Sequence, residues 1–160
     1  MDRYEPLKIE AKWQKKWEEE KPFAANDGAK DPKMFLAEMF PYPSGAGLHV
    51  GHVRNFTIVD VLARFYTQQG LNVLRPFGYD TFGLPAENYA IKTGISPQSA
   101  TKTNINNFRK QAKRLGYAID WDREINTSDP EYYRWTQWCV LQLYKKRLSL
   151  SKGILSMVVS

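Results

Sequence analysis

The chain of 160 residues is 42% hydrophobic and 25% charged, a globular composition that fits one compact domain, or part of a larger one, and excludes disordered, collagenous and low-complexity classes. A lone Cys139 excludes an internal disulfide framework and a paired-cysteine zinc knuckle and predicts a reducing, cytoplasmic setting, while Met1-Asp2-Arg3 followed by short apolar runs predicts no signal peptide and no membrane span. The net charge of +6 lies wholly in residues 101–160, which hold 11 Lys/Arg against 5 Asp/Glu, so a polyanion such as RNA would be drawn to that side unless the charges only solvate a helix face.

Residues 6–20 read as an amphipathic helix, because Trp13 and Trp17 stand four apart among charges. A polar linker runs from Pro22 to Pro32. Residues 34–40, MFLAEMF, form an apolar run closed by Pro41 and Pro43, which predicts a buried strand. The segment Ser44-Gly45-Ala46-Gly47 then makes a turn. From His49 the apolar positions Val53, Phe56, Val61, Leu62 and Phe65 recur at helical spacing up to Gly70. Residues 72–76 make a second short strand, and 77–85 a loop punctuated by Gly and Pro.

Caps predict three more helices. Pro85-Ala86-Glu87 opens a short one that Gly94 ends. Ser96-Pro97 opens the next, with a stripe of Thr101, Ile105, Phe108, Ala112 and Leu115 closed by Gly116. Asp129-Pro130 opens the last, over 130–148, where Lys145, Lys146 and Arg147 suit the negative end of the dipole. Trp13, Trp17, Trp121, Trp135 and Trp138, with Tyr132-Tyr133, suit a core or an interface better than stacking on bases. Residues 149–160, SLSKGILSMVVS, are of another character, with four serines, no acid and no aromatic. They suit a strand or the unnatural end of a truncated chain.

Chemistry concentrates in residues 39–55, MFPYPSGAGLHVGHVRN. A strand that enters a small-residue turn and then a helix builds an anion site, because the first helical turn offers unpaired N–H groups and the positive end of the dipole. His49 and His52, three apart on one face, would add donors toward a phosphate. Gly51 between them would let a flat ring or phosphate approach the backbone. Two other readings stand beside this one: half of a zinc site, for which no further histidine exists, and histidines that only cap the helix.

HVGH at residues 49–52 resembles the HIGH signature of class I aminoacyl-tRNA synthetases. The likeness extends through MFPYPSG (39–45), LHVGHVRNFTIVDVLARF (48–65), LNVLRPFGYDTFGLPAENYAIK (71–92) and PEYYRWTQWCVLQLYKK (130–146). Together these look like the amino-terminal region of the leucyl-tRNA synthetases, over about residues 4–148. Tyr79 and Thr81 depart from the tryptophan and small residue usual beside the aspartate, and the likeness fades after Arg147.

The resemblance implies an α/β fold: the amino-terminal half of a Rossmann-like nucleotide-binding domain, with an incomplete parallel sheet, flanking helices and a site at the carboxyl edge. It implies a helix and linker at 1–33, a HIGH-motif half at 34–93, connective helices at 94–148 and a divergent tail at 149–160. It further implies leucine activation by ATP and transfer to tRNA(Leu). His49 and His52 would be catalytic and bind ATP with Gly51; Phe40, Tyr42 and Asp80 would bind leucine, Asp80 taking the ammonium group. Magnesium would ride on the ATP phosphates, with no metal site of the protein's own. The tRNA acceptor end would approach the basic segment 102–114, and the unfinished sheet would favour self-association and little activity in the chain alone. A stand-alone nucleotidyltransferase with HxGH, or a non-catalytic nucleotide- or tRNA-binding piece, are the competing expectations.

Overall fold

Parallel strand pairing organises the chain. The computed structural model describes residues 4–43 and 47–148, which form five α-helices and four short strands. They are α1 (Pro6–Glu20), β1 (Lys33–Phe35), α2 (Val50–Gln68), β2 (Asn72–Leu74), β3 (Phe77–Tyr79), α3 (Leu84–Thr93), α4 (Pro97–Arg114), a 3-10 turn (Trp121–Arg123), β4 (Glu124–Asn126) and α5 (Pro130–Lys145). The chain divides into two compact units, residues 1–127 and 128–160. Residues 44–46 of the turn expected at 44–47, and the tail at 149–160, lie outside the described residues.

β1 pairs with β2 in parallel, Met34 opposite Val73, and β3 pairs with β4 in parallel, Gly78 opposite Ile125. Backbone bonds beyond the strands link the two ladders. Asp80 N–H donates to Pro41 O at 3.0 Å, and Asp120 N–H donates to Arg75 O at 3.0 Å. Residues 72–80 thus run between 32–41 on one side and 120–127 on the other, an open three-track parallel arrangement. This is the incomplete α/β sheet expected from the sequence.

Two strand expectations are corrected. The strand forecast for 34–40 pairs only over Lys33–Phe35, because the chain leaves β2 and crosses toward β3 as it approaches Pro41. The loop forecast for 77–85 begins as β3, whose three residues are all buried. Its partner β4 was absent from the sequence reading, since Glu124-Ile125-Asn126 has no run of apolar residues to announce it.

The core gathers Phe56 from α2, Phe77 and Tyr79 from β3, Ile105, Phe108 and Ala112 from α4, and Tyr117 and Ile119 beyond it. Edge-to-face contacts at 5.4 Å (Phe56–Phe77) and 5.5 Å (Phe77–Tyr79) order its rings. α4 follows the forecast closely: Ser96 caps it by accepting from Ser99 N–H, and Thr101, Ile105, Phe108 and Ala112 are buried. Leu115, at its end, is exposed. In α2 the forecast stripe fails beyond Phe56, because Val61, Leu62 and Phe65 face away from the core.

α1 begins at Pro6, where a missing N–H costs nothing, and ends on Lys21 in the left-handed region. It is fastened to the end of α4 by Gln14 donating to Arg114 O at 2.8 Å and by Lys113 pairing with Glu18 at 2.6 Å. Trp17 packs on Phe23 and lies beside Gly116. α5, in the second unit, buries no residue, and Trp135 and Trp138 are exposed on it.

Candidate active site

His49 is the N-cap of α2, and its Nδ1 accepts the His52 N–H at 3.4 Å. In return, His52 Nδ1 accepts the His49 N–H at 3.2 Å. The two histidines therefore form a reciprocal capping box, filling the roles usually taken by Ser/Thr and Glu/Gln. Their rings stack with centroids 3.7 Å apart. Because both Nδ1 atoms accept backbone protons, a neutral ring carries its own proton on Nε2. The first turn of α2 thus offers two Nε2–H donors at the positive end of the helix.

His52 also stacks on Phe56 at 5.9 Å and meets the edge of Phe108 at 6.1 Å. Burial against these rings, and then the neighbouring His49, hold its imidazole below the usual histidine range. Gly51 stands over the His49 ring, where an added Cβ would come 3.0 Å from Cε1. A side chain there would press on the stacked pair. Capping, which the sequence left as an alternative to phosphate binding, is what the histidines do; it fixes their rings and leaves Nε2 unused, so the two roles are compatible.

The second group of forecast residues sits where 36–43 and β3 leave the sheet. Phe40 is half-buried against Gly78, at whose position a Cβ would lie 2.5 Å from the Phe40 ring. Glycine in β3 is therefore what lets this ring lie flat on the strand. Tyr42 is exposed, and its hydroxyl interacts with the Asp80 carboxylate, which pushes the phenol pKa upward. Asp80 is half-buried and accepts from Thr127 Oγ1 at 3.5 Å. Tyr42 and Asp80 are thus brought together, with Phe40 behind them. Both this group and α2's first turn follow the carboxyl ends of parallel strands, the edge at which open α/β sheets bind ligands.

The departures at Tyr79 and Thr81 are locally satisfied. Tyr79 donates to Glu124 Oε1 at 2.7 Å, and Thr81 donates to Asn126 Oδ1. Glu124 also takes a bidentate bond from Arg109, with contacts of 2.7–2.9 Å.

Sequence reasoning missed two sets of supporting residues. α4 holds both flanks of the segment before α2, through Asn104 Nδ2 donating to Pro43 O at 2.7 Å and Gln111 Oε1 accepting Leu48 N–H at 2.7 Å. Asn104 is buried with Thr101 on the core face of α4, and a polar residue beside Ile105 and Phe108 on that face was the available signal. The other set surrounds Arg75, the most buried cation among the described residues, whose partners lie too far along the chain to give a local signal.

In the basic segment, Arg109 pairs with Glu124, Lys113 with Glu18 and Arg114 with Glu10. A cleft lies apart from the histidines, between α1 and α4. It measures about 860 Å³ and is lined by Trp17, Trp121 and Lys110 among others. Among the described residues no three or more His, Cys, Asp or Glu side chains gather in a metal-binding group.

A family model described as tRNA synthetases class I (I, L, M and V) matches residues 12–155. The chain belongs to that family. A leucine–tRNA ligase from Protochlamydia amoebophila (strain UWE25) is 50% identical over 153 residues, 96% of this chain and 18% of the relative. A crystal structure of Agrobacterium radiobacter K84 AgnB2 LeuRS in a ternary complex, LeuRS-tRNA-LeuAMS, matches with a TM-score of 0.86 at 40% identity. That match covers 91% of this chain and 19% of the solved one. The chain spans less than a fifth of the length of these synthetases.

Proposed function

We propose that this segment is the ATP- and leucine-binding front of a leucine–tRNA ligase. The observation that carries the reading is the reciprocal cap of His49 and His52, which aims two Nε2–H donors from the positive end of α2 within a chain half identical to a leucine–tRNA ligase. Leucine activation joins the amino-acid carboxylate to the α-phosphate of ATP and expels pyrophosphate. Negative charge spreads over the phosphoryl oxygens as the bond changes, and donors already oriented by a cap stabilise it without reorganising. Gly51 lies against the adenine.

Asp80 receives the leucine ammonium group, and its partners Tyr42 and Thr127 hold the carboxylate in place. Phe40 and Tyr42 wall the leucine side chain. Magnesium arrives with the triphosphate, held by phosphate oxygens as a hard cation prefers. The tRNA acceptor end approaches α4 through Lys102 and Lys110, since the other three cations of 102–114 hold carboxylates. No helix among the described residues is long and apolar enough to cross a membrane, and the reading includes a cytoplasmic setting.

Leucine-dependent ATP–pyrophosphate exchange tests the function. A complete enzyme carrying residues 4–148 exchanges label only with leucine present, and the isolated chain does so far more slowly. Exchange that follows isoleucine, valine or methionine in preference to leucine would replace the substrate assignment. The same preparation tests association: Ile58, Val61, Leu62 and Phe65 expose an apolar stripe on α2, and sedimentation velocity should show mass rising with concentration.

A further inference from the structure

Arg75 is 1% exposed, yet it carries a full charge whose five donors must be answered inside the protein. Its Nη2 and Nε reach Glu38, with Nη2 3.0 Å from both carboxylate oxygens and Nε 3.2 Å from Oε1. Nη1 donates to Asp60 Oδ1 at 2.8 Å, and Nη2 donates to Phe56 O at 3.0 Å. Nη1 also lies 3.4 Å from Ala118 O, and the guanidinium sits over the Tyr117 ring at 5.5 Å.

The partners come from different elements. Glu38 precedes Phe40 and Tyr42 on the crossing segment. Asp60 and Phe56 lie on α2, whose first turn holds the histidines. Arg75 itself stands between β2 and β3, on the track that ends at Asp80. Asp60 is in turn fixed by Arg64 at 2.7 Å and by Ala118 N–H at 2.6 Å. One planar group therefore ties together the segments that bear the two halves of the site.

For stability alone this is a poor arrangement. Buried ion pairs often do no better than apolar side chains of similar volume, whereas their directional bonds specify geometry. An apolar residue would fill the space but would not fix α2 against the crossing segment.

We propose that Arg75 is a positioning residue: its bonds to Glu38, to Asp60 and to Phe56 O set the distance between the leucine-binding and ATP-binding halves of the site. The proposal rests on the site reading above and adds that the two halves are coupled through this guanidinium. Arg75 itself touches no substrate.

The test titrates a complete enzyme carrying residues 4–148 with L-leucine, with ATP and with an uncleavable leucyl-adenylate analogue, and repeats this for Arg75→Lys and Asp60→Asn. A lysine ammonium cannot make the planar fork that reaches Glu38 and Asp60 together. Asp60→Asn removes the charge paired with the guanidinium and the acceptor for Arg64, while its Oδ1 still accepts from Ala118 and from Arg75 as a neutral amide oxygen. If Arg75 positions, the analogue loses about 10–100-fold in affinity while leucine and ATP each change by less than about threefold, because only the joined ligand depends on the spacing. Near-ultraviolet circular dichroism reports whether each variant is folded, and either folded variant suffices.

Equal losses for all three ligands, or no loss for any, would overturn the positioning role while leaving the site reading intact. If neither variant folds while the unaltered enzyme binds all three ligands, Arg75 is a stability element and the proposal fails. An unaltered enzyme that binds none of the three would instead overturn the site reading, and the proposal with it.

Discussion

His49 and His52 hold one another within a single helical turn, each accepting the other's N–H, while Asp80 is held by Pro41 and Thr127 from distant parts of the chain. The first pair forms wherever α2 begins and needs only a sequence spacing of three. Asp80 takes its place only when the crossing segment and β4 have both come to β3. Local construction leaves His49 exposed and His52 half-buried, each dependent on the other; long-range construction leaves Asp80 half-buried and dependent on the sheet. Changes on the histidine side should therefore affect chemistry with little effect on folding, and changes around Asp80 should show cost in both.

The largest effect should come from cutting the local pair. In a complete enzyme carrying this segment, His49→Ala removes one donor and the acceptor that caps His52 N–H. Adenylate formation should slow by about 10²–10³, the usual cost of one lost transition-state donor. Pre-steady-state measurement of pyrophosphate release gives the rate. A slowing of less than tenfold would mean that His49 serves only the helix cap.

The long-range side should give a smaller and more selective loss. Asp80→Asn keeps the size and the backbone bond to Pro41 but removes the charge that receives an ammonium group. Leucine affinity should fall by about 1.5–3 kcal/mol, the value of a charge-assisted bond, with ATP affinity little changed. Equilibrium titration with each ligand separates the two, and an unchanged leucine affinity would take Asp80 out of the pocket.

This contrast also explains what was legible. α1 and α4 were read almost to the residue, since the Trp13–Trp17 spacing, Ser96-Pro97 and the Thr101–Ala112 stripe are local signals. The histidine pair was found for the same reason. β3 and β4 were not, because the Gly and Pro of 77–85 signal a loop and Glu124-Ile125-Asn126 has no apolar run, so each of these strands shows only through its partner. Val61, Leu62 and Phe65 had helical spacing without a core to face; spacing names the face of a helix, and only tertiary structure says what covers it. The Arg75 cluster was invisible because its carboxylates stand 37 and 15 residues away. Such partners are set by topology, which the motif reading placed only in outline.

The smallest effect should be a pH dependence confined to the local side. His52 is held below the usual histidine value, first by burial against the rings around it and then by His49. Its folded pKa thus lies under its unfolded one, so below about pH 6.5 the unfolded chain takes up the proton first, and stability falls as pH drops until the folded ring also titrates. At higher pH both forms are neutral and the ring adds no further dependence. Protonation acts directly on the cap, since a proton on Nδ1 removes the acceptor for His49 N–H and places positive charge at the positive end of α2. Thermal unfolding of the chain and of His52→Asn between pH 8 and 5.5 should diverge, with the unaltered chain losing more on acidification. Asparagine does not titrate in that range, so subtracting its curve removes the contribution of other groups, including Glu38, whose pKa burial raises above the usual carboxylate value despite Arg75. Parallel curves would mean that the His52 ring is as well solvated in the folded chain as in the unfolded one, and that the stacked cap is not held in solution.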